Sequence, residues 1–146
     1  METWKWTKFE NLGNYPQPKT APSLNYLDGV LYLVGGEADA SPDPYKPEFY
    51  KYDLSSYSWE EVSALKSFVN RNLHGSCIFD NYLYLFYGWS NLLNSNVDSI
   101  DRIQLNSSSA TWEKLEVEPT NENLLRSTYG YACSENKVYM FGGYSA

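Results

Sequence analysis

Val30-Leu31-Tyr32-Leu33-Val34-Gly35-Gly36 is an apolar run of five closed by paired glycines, and the chain repeats it. Tyr82-Leu83-Tyr84-Leu85-Phe86-Tyr87-Gly88 lies 52 residues on, and Lys137-Val138-Tyr139-Met140-Phe141-Gly142-Gly143 a further 55. Five residues are too few for a helix, and the run is rich in β-formers, so it reads as a strand buried on both faces. Just before each run stands a turn pair: Asp28-Gly29, Asp80-Asn81, Glu135-Asn136. Such pairs tolerate φ > 0 and suit tight hairpins. Working outward, a base precedes each hairpin: Lys19, Arg71, Arg126. Three residues after each base come Pro22, His74 and Tyr129 in matched register. Trp6, Trp59 and Trp112 recur at a spacing of 53. Phe49-Tyr50-Lys51-Tyr52-Asp53-Leu54 alternates like a half-buried strand. Each unit is therefore a four-stranded antiparallel meander, its strands a to d. Units of about 50 residues with this make-up indicate propeller blades.

Composition narrows the function classes. The chain has 146 residues, and its 11 basic and 18 acidic side chains leave a net charge of −7. That balance argues against nucleic acid and anionic membrane as partners, since both need a basic surface. No apolar run reaches the roughly 18 residues of a membrane helix, and residues 1–5 show no secretory signal. A cytoplasmic location is expected. Two cysteines are too few for a disulfide scaffold. Cys77 and Cys133 lie in successive a strands one residue out of register, so alternation points them to opposite faces. They are expected to be reduced and unbonded.

At this point the residues resemble the kelch repeat. That pattern has a base and a histidine opening strand a, Gly-Gly ending strand b, then a tyrosine and a tryptophan separated by six residues. The first full unit supplies Gly35, Gly36, Tyr52 and Trp59; the second Arg71, His74, Gly88 and Trp112; the third Arg126, Gly142 and Gly143. Tyr87 replaces the first glycine of its pair, and Leu105 takes the tyrosine position. The resemblance implies an all-β, partial kelch-type β-propeller of four-stranded blades, most often a protein-binding scaffold. It divides the chain into a lone strand d in 1–15, a full blade in 16–66, a second in 67–118, and strands a and b of a third in 119–146. Propellers close with 4–8 blades. Such an arc is expected to need further blades or self-association.

The chemistry-bearing residues are few. His74, the one histidine, stands at a repeat position, where hydrogen bonding and packing are its expected role. No catalytic residue, metal site or cofactor is expected, and the copper oxidases among kelch-like propellers need histidines this chain lacks. The acidic stretch 37–44 lacks the order of a calcium loop. Asn106-Ser107-Ser108 matches a glycosylation sequon but falls where a c–d turn is expected. In a meander the d–a and b–c connections emerge on one face, and here they are the long ones: 37–47, 63–70, 89–98 and 116–125. Long loops on a rigid scaffold are where binding resides. Two readings of the bases stand side by side. Lys19, Arg71 and Arg126 form a ring of cations suited to an acidic segment of a protein partner, or each pairs with a carboxylate within its own blade. Tyr45, Phe49, Trp89, Leu92 and Leu93 lie in or beside the same loops as apolar anchors or edge covers. The expectation is a non-enzymatic interaction module. The alternatives are a fragment of a propeller enzyme and a structural subunit of a larger assembly.

Overall fold

A computed structural model describes residues 3–38, 46–64, 67–107, 109–117 and 125–145. The described residues form strands and no helix. The first blade is β2 (Ser23–Leu27), β3 (Val30–Val34), β4 (Phe49–Asp53) and β5 (Ser58–Glu61), joined in that order as an antiparallel meander. A short strand β1 (Leu12–Gly13) lies parallel to β5 and makes this sheet five-stranded. The second blade is β6 (Gly75–Phe79), β7 (Tyr82–Phe86), β10 (Ile100–Gln104) and β11 (Glu113–Leu115). Between β7 and β10 a small hairpin, β8 (Trp89–Ser90) with β9 (Ser95–Asn96), occupies the long connection. The third unit is β12 (Gly130–Ser134) paired with β13 (Lys137–Phe141).

The turn chemistry sets the hairpins. Asp28, Asp80, Asn81, Glu135 and Asn136 all take φ between 46° and 62°, and Gly29 takes 85°. Two consecutive positive φ values give the tight turn whose twist matches the flanking strands. Register then alternates the side chains. Tyr32, Val34 and Phe49 turn toward the second blade, which answers with Leu83, Leu85, Ile103 and Trp112; all are buried in one cluster with Phe68. On its other face the second blade presents Cys77, Tyr84 and Phe86 to Tyr129, Val138 and Met140 of the third.

Two expectations need correction. Trp6 is fully exposed, with no strand in residues 3–11, so no strand d forms around Trp6; the strand described within 1–15 is β1, parallel to β5. A strand d pairs with a strand c, and the third unit offers only β12 and β13 among the described residues. The second correction concerns the cysteines. Cys77 and Cys133 form a disulfide, with Cα atoms 6.1 Å apart. Alternation points them opposite ways, and that orientation is what brings them together. Blades stack face to face, so the face one blade turns to the next is met by that blade's opposite face. Residues pointing opposite ways on successive blades are the ones that meet.

Position in the stack decides exposure. Val34 and Phe86 occupy equivalent places and are 0% and 6% exposed, each covered by a following blade. Phe141, their counterpart in β13, is 88% exposed. Trp59, the counterpart of buried Trp112, lines an open cleft of about 390 Å³ with Leu33, Pro22 and Tyr15.

Gly88 closes strand b of its blade at φ 96°, where an added Cβ would stand 2.6 Å from His74 Cβ and 2.7 Å from the Asn72 carbonyl oxygen. Gly130 has an ordinary φ, and a Cβ there meets nothing closer than 3.8 Å. Gly88→Ala should lower stability by about 1–3 kcal/mol through overpacking and strain, while Gly130→Ala should leave the melt nearly unchanged. Equal denaturation midpoints would refute the steric account.

The disulfide closes a loop with a sequence separation of 56. In the chain-entropy account this stabilises the fold by about 4 kcal/mol. Mass measurement after alkylation should show no label without reductant and two labels after reduction, with a lower melting temperature for the reduced chain.

Candidate functional site

The long connections converge where the strands a begin. Asn72 bridges Trp89, Thr20 bridges Glu37 and Ser127 bridges Tyr144, all antiparallel. These repeated bridges place each base beside the residue that follows strand b of its own blade. Successive blades are then tied through backbone. Gly36 N–H donates to the Arg71 carbonyl at 2.9 Å and Gly88 N–H to the Arg126 carbonyl at 3.0 Å. Leu73 N–H reaches the Ala21 carbonyl and Thr128 N–H the Leu73 carbonyl.

The bases meet different fates. Arg71 is 1% exposed and paired with Asp101 of its own blade. It also donates to the Val69, Tyr87 and Ser99 carbonyls and to Ser99 Oγ, at 3.0–3.3 Å. Burial lowers its pKa while Asp101 opposes that shift. Lys19 is paired with Glu48, also within its blade, and its side chain is buried. Arg126 donates to the Gly142 carbonyl at 2.7 Å. For Lys19 and Arg71 the arrangement is thus the intra-blade pairing and not an open ring of cations. A signal for this was present in the sequence. Glu48 and Asp101 recur at the spacing of 53 shown by the tryptophans, which marks them as equivalent partners for the bases of their blades.

His74 is 7% exposed and its Nε2 lies 2.9 Å from Ser23 Oγ of the first blade. Burial, then the charge of Arg71, depress its pKa to about 3. It is a neutral packing residue at ordinary pH. Tyr129 holds the equivalent position in the third unit and reaches back in the same way: its hydroxyl accepts from Gly75 N–H at 2.8 Å and donates to the Phe86 carbonyl. Among the described residues no group of three His, Cys, Asp or Glu side chains is placed to hold a metal.

The apolar loop residues divide as well. Phe49 belongs to the core between blades, against Trp112 at 5.7 Å. Tyr45 lies outside the described residues, as does the acidic stretch from 39 onward. Trp89 is half-buried in β8, while Leu92 and Leu93 at the hairpin tip are exposed. The hairpin is a feature the sequence reading missed. Its signal is faint: two-residue strands around Leu92 and Leu93, with Asn94 at φ 50° turning the chain.

Residues 1–144 match the family model described as the KLHDC2/KLHL20/DRC7 Kelch-repeats domain. The chain belongs to the kelch-repeat family. Two curated relatives are each 23% identical to it. One is Kelch domain-containing protein 3 of Bos taurus, matched over 100% of this chain and 39% of the relative. The other is N-(sulfonatooxy)prop-2-enimidothioate sulfolyase of Thlaspi arvense, matched over 97% of this chain and 40% of the relative. The chain spans about two-fifths of the length of these relatives. Family membership makes a kelch protein-interaction module the general description of this chain.

Removal of Arg71 from its site leaves Asp101 buried without its counter-ion. Arg71→Ala should therefore cost about 3–5 kcal/mol of stability, read by chemical denaturation. A variant with wild-type stability would restore Arg71 to the exposed-cation reading.

Proposed function

We propose that this chain is a non-enzymatic binding module that engages a protein partner through the face formed by its long b–c and d–a connections. The observation that carries this is the β8–β9 hairpin. It holds Trp89 half-buried by backbone pairing with Asn72 and leaves Leu92 and Leu93 62% and 54% exposed at its tip. A rigid aromatic beside exposed leucines is the composition of an interface anchor. At the opposite end the a–b turns are two-residue turns at Asp28-Gly29, Asp80-Asn81 and Glu135-Asn136. Lys19 and Arg71 contribute by ordering the loops, since their charges are matched inside the blades. The uncovered faces at Phe141 and at Trp59 fit further blades or self-association. A second reading, part of a propeller enzyme, is favoured by the sulfolyase among the relatives. Its catalytic residues would lie in blades outside this chain, so it predicts turnover only when the chain is joined to those blades.

A photo-crosslinking amino acid at Leu92 should capture a protein partner, and Trp89→Ala should abolish the capture. The same group at Leu54, in the turn after β4, should capture none. Equal capture from both positions would overturn the long-loop face.

A further inference from the structure

The interface between the first two blades leaves a cavity of about 220 Å³. Val30, Tyr32, Phe49 and Val62 of the first blade and Leu105 and Ala110 of the second give it apolar walls. Lys51 and Asp53 join them because Phe49, Lys51 and Asp53 are alternate residues of β4 and share one face. These charged groups are already committed within their own blade. Lys51 Nζ lies 3.1 Å from Glu60 Oε2. Asp53 Oδ1 accepts from Ser55 N–H, Ser55 Oγ and Ser56 N–H at 2.6–3.2 Å. Tyr32 is different. It is 9% exposed and lines the cavity, and its hydroxyl makes no hydrogen bond among the described residues. Burial raises its pKa, so at ordinary pH it is a neutral phenol that can both donate and accept. A buried hydroxyl left without a partner costs free energy until one reaches it.

We propose that this cavity binds a small neutral aromatic molecule, of phenol to indole size, that carries one hydrogen-bonding group. Size is sufficient: an apolar cavity of about 150 Å³ takes up benzene, and this one is larger. The Tyr32 and Phe49 rings, with centroids 6.0 Å apart and planes tilted by 30°, offer a flat ligand face and edge contacts. The hydroxyl or N–H of the ligand supplies the partner that Tyr32 lacks. Charge selects against ions. Lys51 and Asp53 are matched by Glu60 and by the Ser55-Ser56 turn, so a charged ligand entering apolar walls loses its hydration without gaining a free counter-ion. None of the described lining belongs to the β8–β9 hairpin, so this site stands or falls apart from the partner surface.

The test is ligand-detected NMR on the purified chain with phenol, indole, toluene, benzoate and benzylamine as probes. Phenol and indole should bind, and benzoate and benzylamine should bind more weakly. Tyr32→Phe keeps the ring and removes the unpartnered hydroxyl. It should melt at or above the wild-type temperature, lower phenol affinity about tenfold, and leave toluene unchanged. Ala110→Leu fills the cavity and should abolish binding of every probe; a melt establishes that this variant is folded. Phenol binding unchanged in Tyr32→Phe, or in folded Ala110→Leu, would overturn the proposal. So would benzoate or benzylamine binding as tightly as phenol. If no probe binds, the cavity holds only water and the proposal falls. If Ala110→Leu does not fold, the contrast between phenol and toluene in Tyr32→Phe decides.

Discussion

Gly36 N–H donates across the gap between blades to the Arg71 carbonyl, and Gly88 N–H repeats the bond to Arg126. Most of the remaining architecture depends on this contact. At Gly88 a side chain would collide with His74 of its own blade, and at Gly35 with the Arg71 carbonyl of the next. The backbones therefore approach closely only where Cβ is missing. The same Arg71 faces two ways. Its carbonyl secures the preceding blade, while its guanidinium gathers strand c of its own blade through Ser99 and Asp101. One residue thus couples packing within a blade to stacking between blades.

Stacking gives each blade two apolar faces, and the chain fills them in sequence. The first interface is closed by aromatic and aliphatic packing around Trp112. The second has a smaller cluster and adds the Cys77–Cys133 bond. Val138 and Met140 of the third unit are partly covered by the second blade, while Phe141 points away uncovered. A blade is complete only with a neighbour on each side.

The long-loop face inherits its chemistry from this framework. Because Lys19 and Arg71 serve the blades, their charge is matched before any partner arrives. What the loops then present is Trp89, fixed by backbone pairing to Asn72, beside the exposed Leu92 and Leu93.

Sequence alone carried the repeat, the tight turns, the strand content and the kelch resemblance. These are local: a Gly-Gly after five apolar residues, or an Asp-Gly with φ > 0, means the same thing wherever the chain lies in space. It also carried the packing role of His74, whose position the repeat defines. Tertiary structure decided the rest. Whether Arg71 is a surface cation or a buried one depends on Asp101, 30 residues away in sequence and on another strand. Whether Cys77 meets Cys133 depends on which faces of two sheets are apposed, which alternation within one strand does not specify. Trp6 and Trp59 share a motif position, yet Trp6 stands in solvent and Trp59 packs against Tyr52 at 4.9 Å. Local pattern dictates what a residue is suited to contact; the stacking of blades dictates which contact is present.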